Sequence, residues 1–150
     1  MRVLALCLVL ASPGFLFAQP DGVKPVPPKG SPVPEADRAR LKEGLDLLKA
    51  EIDALAKDPK AADLLPDVEI YHKAVRYALD HDEMYVDKNR NDIHVCTALL
   101  KKGMERAKEL KEGKPSWPTA TGLVVRGYRS KIDGSVQPYG LVVPASYQVV

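Results

Sequence analysis

His72, His81 and His94, with Asp80, Asp82 and Glu83 close by, are the residues whose types could hold a metal ion. Ligands on a single helix must stand three or four positions apart to face the same way. His72 and His81 are nine apart, about two and a half turns, so they project from opposite faces. His94 lies beyond a polar loop. The group reads as polar surface and helix ends, and neither metal nor cofactor is expected. Cys96 has the chemistry of a nucleophile, but it falls between Ile93 and Leu100 on an apolar stripe, where a thiol acts as a small hydrophobe. Tyr71, Tyr77 and Tyr85 recur along one segment, and their spacing reads as packing with exposed hydroxyls. None of the six serines lies in a G-x-S-x-G or S-x-x-K context. There is no glycine-rich phosphate loop and no close pair of carboxylates placed for acid–base work. No catalytic, cofactor-binding or metal-binding residue is assigned.

The elements that must position these side chains are mostly helical. Leu41, Leu45, Leu48, Ile52 and Leu55 follow a four-three rhythm between charged residues, which predicts a helix from Ala36 to Lys57. Asp58-Pro59 stops it, because the residue before proline is pushed out of the helical region. A second helix starts at Pro66, where a missing N–H is harmless, and carries Val68, Tyr71, Val75, Ala78 and Leu79 to about Asp82. Asp82 to Asp92 reads as a loop too polar to pack well. Asn91 or Asp92 then caps a third helix bearing Ile93, Cys96, Leu100, Gly103, Ala107 and Leu110, with Gly113 as a left-handed stop.

Past Lys114 the period changes to two. Pro115 to Thr121 is a rigid connector with the single tryptophan, and two β-rich runs flank Asp133-Gly134. A two-residue turn there predicts a register placing Tyr128 opposite Tyr139, Gly127 opposite Gly140 and Val125 opposite Val142. Arg129 would oppose Pro138 at a non-hydrogen-bonded pair, where the absent N–H costs nothing. A hairpin alone is marginal, so this one reads as the opening of a larger sheet that the chain does not contain. The expected class is mainly α with a C-terminal β-hairpin.

Residues 1–18 follow the charged, apolar and small-residue order of a secretory signal, with cleavage expected after Ala18. The apolar run is shorter than the roughly 20 residues a membrane helix needs. Residues 19–35 hold six prolines and read as an extended linker. The helical region is then 36–113, and the connector and hairpin 114–150. Near-balanced charge, +2 in all, gives no reason to expect nucleic acid or, after signal removal, a membrane as partner. The expected location is secreted or periplasmic.

The stretch from Val124 to Tyr147 resembles the opening hairpin of exported bacterial α/β-hydrolases, the esterase and prolyl-oligopeptidase-like serine hydrolases. The elements carrying the likeness are Asp133-Gly134, Pro138-Tyr139 and Leu141 to Pro144. Leu65 to Glu83 is similar to the helical region that some of these proteins place before the sheet. The resemblance implies the N-terminal part of a serine hydrolase acting on ester or peptide bonds. It further implies a serine nucleophile on a strand-to-helix elbow, a histidine base, an acidic orienter and an oxyanion hole. All would follow Val150, so none is carried onto this chain, and the implied partner is the remainder of the hydrolase domain. The alternative is a free-standing exported helical binding module without catalysis.

Overall fold

The computed structural model describes residues 29–147. The secretory signal and most of the proline-rich segment lie outside the described residues. Three long helices are followed by one antiparallel hairpin: α1 (Glu35–Leu55), α2 (Pro66–Asp80), α3 (Asp92–Lys111), β1 (Gly122–Arg129) and β2 (Val136–Val143). The fold is mainly helical with a C-terminal β-hairpin, as the change of hydrophobic period predicts.

Each helix buries the stripe its spacing defines. In α1 that is Leu41, Leu45, Leu48, Ile52 and Leu55. In α3 it is Ile93, Cys96, Leu100, Gly103, Ala107 and Leu110, joined by Arg106. At Gly103, α3 packs closely against both other helices. A Cβ there would lie 2.7 Å from Leu48 Cδ2 and 3.0 Å from the Cβ of Tyr71, so glycine lets three helices share one layer.

The ends differ from expectation by a turn or less. Helix α1 closes at Leu55 rather than Lys57 because the chain tightens into i→i+3 bonds, Lys57 N to Ala54 O and Asp58 N to Leu55 O. Helix α2 ends at Asp80 rather than Asp82. Asp82 adopts a left-handed φ of 52°, and Glu83 N–H reaches back 2.9 Å to Ala78 O, a Schellman closure made without glycine. Asn91 caps α3 by accepting from His94 N–H, and Gly113 takes the left-handed φ of 68° that its position after α3 predicts.

The polar segment between α2 and α3 packs better than its composition suggests. Met84 is fully buried. Around it Tyr85 N–H donates to Asp92 Oδ2, Asp92 N–H donates to Tyr85 O, and the Asp87 carboxylate accepts from the N–H groups of Asn89 and Arg90. Charged residues supply the turn's acceptors, which leaves one methionine free to enter the core. On its other side the extended chain at Gly30 and Ser31 donates to the carbonyls of Asp82 and Met84. The end of the proline-rich segment is therefore tied down rather than fully solvated.

The hairpin register also differs from expectation. Tyr128 pairs with Gln137, Gly127 with Pro138 and Val125 with Gly140, two positions earlier on β2 than a two-residue turn would give. The cause lies in the connection. A two-residue type I′ turn needs positive φ at both central residues, and Gly134 has it (71°) while Asp133 does not. The Asp133 carboxylate instead accepts from the N–H and hydroxyl of Ser135, and hydrogen bonds from the Ser130 and Ser135 side chains hold its pKa down to about 2. Gly134 N–H donates to Ser130 O, and Ser130 N–H to Ser135 O, which gives a four-residue loop. Because the shift is two, every side chain keeps its face.

Met84→Ala should destabilise the protein by about 2–5 kcal/mol, the range for emptying a buried methionine site. Urea unfolding measures this, and a loss no larger than that of a surface substitution would show that the loop does not support the core.

Candidate functional site

The polar centre of the molecule is Asp67, in the first turn of α2 and 0% exposed. Its Oδ2 accepts from Trp117 Nε1 at 2.8 Å and Arg126 Nε at 2.9 Å, and its Oδ1 accepts from Gly127 N–H. Three donors from the connector and β1 therefore converge on one helix terminus, whose own partial positive charge favours a carboxylate there. Gly127 permits the approach: a Cβ at that position would lie 2.2 Å from Pro66 O.

Arg106 of α3 completes the junction and is 4% exposed. It donates to Asp67 O at 3.1 Å and Val125 O at 2.8 Å. Its guanidinium lies over the rings of Tyr71 and Trp117, 5.1 and 4.8 Å from their centroids. Burial pushes its pKa down, while Tyr71 and Asp67 pull it back, and an arginine so lowered is still a cation. Among the described residues, Nε of Arg106 has no hydrogen-bond partner. Asp67, Arg106 and Trp117 are buried, so their bonds hold the hairpin and connector against the helices.

These contacts make the two hairpin edges unequal. Along β1 the outward N–H of Gly127 and the outward carbonyl of Val125 are satisfied by Asp67 and Arg106. Along β2 the outward positions are Val136, Pro138, Gly140 and Val142, opposite the outward positions of β1. Val136 O accepts from Lys73 Nζ at 2.7 Å, and Pro138 has no N–H. Among the described residues no backbone bond from outside the hairpin reaches Gly140 or Val142. At this end the apolar surface is bare: the paired residues Leu123 and Val142 are 76% and 80% exposed. Leu141, Tyr139 and Tyr147 are exposed nearby.

The residues singled out by type are dispersed. Cys96 is buried, and burial raises its thiol pKa, which disfavours the reactive thiolate. Tyr71 is buried beneath Arg106. Tyr77 is exposed on the outer side of α2, edge-on to His81, so it departs from the packing role its spacing suggested. Tyr85 lies under the Arg90 guanidinium. His81 and His94 are exposed. Among the described residues no group of three or more His, Cys, Asp or Glu could hold a metal ion. His72 is half-buried and lines a cleft of about 260 Å³ between α1, α2 and the hairpin turn, with Lys49, Lys73, Arg76 and Arg129 in its walls.

Asp67 and Arg106 escape a reading by residue type. Asp67 looks like an ordinary first-turn acid, and its donors lie 50 to 60 positions away. Arg106 left a fainter trace: it is three residues after Gly103 and four before Leu110, on the buried stripe, where a cation needs partners. Asp67→Ala should cost about 3–5 kcal/mol, because it strands buried donors, and should alter Trp117 fluorescence in the native baseline; a loss near zero in urea titration would contradict the assignment. His72 supplies a pH dependence. Burial, then Arg76 and Lys49, lower its pKa below the 6.5 of an unperturbed histidine, so the unfolded chain takes up the proton first. Stability should fall as pH drops through 6.5 and level off below the folded pKa. Denaturation midpoints between about pH 8 and 5 should flatten over this window in His72→Gln, and an unchanged slope would rule this out.

Comparison with protein-family models, curated proteins and solved structures finds no match.

Proposed function

We propose that this chain is the N-terminal, non-catalytic part of an exported serine hydrolase acting on ester or peptide bonds. Its helices form a platform, and its hairpin is the first ribbon of the catalytic sheet. The observation that carries the reading is the asymmetry of the hairpin. Asp67 and Arg106 satisfy the outward Gly127 N–H and Val125 carbonyl of β1, whereas among the described residues no hydrogen bond from outside the hairpin reaches Gly140 or Val142 of β2, where Val142, its β1 partner Leu123 and nearby Leu141 are exposed. Exposed apolar surface next to an open edge suits the addition of further strands. The likeness of Val124 to Tyr147 to the opening hairpin of such hydrolases supplies the reaction class, and the signal-like residues 1–18 supply export. The nucleophile, base and oxyanion donors belong to the sheet that follows.

A free-standing exported binding module is the second reading. It is favoured by the single core that the helices close with Trp117 and Val124, which makes the described part self-supporting. Reading the coding DNA past Val150 decides between them. The hydrolase reading expects a further strand, a His-Gly segment and a G-x-S-x-G elbow, and a fluorophosphonate probe should label the full product at that serine. A stop codon directly after Val150 would overturn it in favour of the module.

A further inference from the structure

The cleft beside His72 is independent of the hydrolase reading. Its walls come from three elements: Lys49 from α1, Lys73 and Arg76 from α2, and Arg129 from the end of β1. Glu69 is the one carboxylate in the lining, and its Oε2 already accepts from Arg129 at 2.6 Å. Lys73 Nζ donates to a neutral carbonyl, that of Val136, so this bond leaves its charge unbalanced. Arg76 reaches Asp80 only at 3.9 Å, beyond a good hydrogen bond. Lys49 is held by Asp53, outside the wall. The wall therefore carries four cations against one carboxylate, with Asp53 and Asp80 behind Lys49 and Arg76, in a concave place where field lines concentrate.

We infer that this cleft is a binding site for a small tetrahedral oxyanion, a phosphate or a phosphate monoester, held between Lys49, Lys73, Arg76 and Arg129. Cations drawn from three elements around one cleft suit an anion with oxygens in several directions, whereas a planar carboxylate matches a single fork. His72 is the reporter within it. The charged groups acting on His72 are Asp46, Lys49 and Asp53 on α1 and Arg76 on α2, while Lys73, Glu69 and Arg129 share its cleft. Burial first, then Arg76 and Lys49, lower the His72 pKa, and an anion bound there opposes those two cations, so binding raises the His72 pKa.

The test is an NMR titration of the processed chain with inorganic phosphate, following the three histidine rings at constant ionic strength. The expected result is a saturable shift of His72, with Kd on the order of 1 mM, and none at His81 or His94. The double variant Lys49→Gln/Arg76→Gln changes two half-exposed side chains and should weaken binding roughly tenfold with unchanged circular dichroism. Phenyl phosphate binding more tightly than inorganic phosphate would make the ligand a monoester; the reverse order would make it free phosphate. The proposal is overturned if the His72 shift does not saturate, survives in the double variant, or is matched by acetate at equal concentration.

Discussion

A carboxylate removed from water must recover its hydrogen bonds from the protein, and Asp67 recovers three from parts of the chain that are otherwise unrelated. The indole of Trp117 fixes the connector, while Arg126 and the Gly127 amide fix β1. Because Asp67 sits in the first turn of α2, the hairpin is oriented against the helices by a directional contact. Apolar burial alone would define it poorly, since only Val124 of the hairpin is buried in the shared core. Arg106 adds the reverse polarity, giving the Val125 carbonyl a donor and stacking between two rings.

The same contacts decide which side of the hairpin is open. An edge strand exposes alternate N–H and C=O groups, and polar side chains of the helical unit answer the Gly127 N–H and the Val125 carbonyl of β1. Those of β2 at Gly140 and Val142 are left beside the exposed side chains of Leu123 and Val142. Pro138 removes one donor from this edge without weakening the hairpin, because its partner Gly127 turns its own N–H toward Asp67. A proline and a glycine opposite each other thus serve two surfaces: the glycine permits contact with α2, and the proline shortens the exposed ladder.

What was legible in the chain followed from periodicity. The stripes of α1 and α3, the cap at Asn91 and the stop at Gly113 depend on neighbours a few positions away, and they stand where spacing places them. The pairing of the hairpin was less legible because it depends on the loop, and Asp133 spends its side chain on Ser135 instead of entering the left-handed region. Tyr128 and Tyr139 still touch, as diagonal rather than direct neighbours, with ring centroids 5.9 Å apart. Of the polar centre only the place of Arg106 on a buried stripe was legible. Its members are ordinary by type and meet only through tertiary folding, as do the walls of the cleft beside His72.

Hydrogen exchange at the Gly127 amide and the Trp117 indole tests most directly whether Asp67 binds the hairpin into the helical unit. If it does, both protons exchange only through global unfolding, at the same free energy as the Leu100 amide in the middle of α3. Exchange of these two protons through a much smaller local opening, while Leu100 stays protected, would show that the hairpin comes away by itself and that the buried carboxylate is not what holds it.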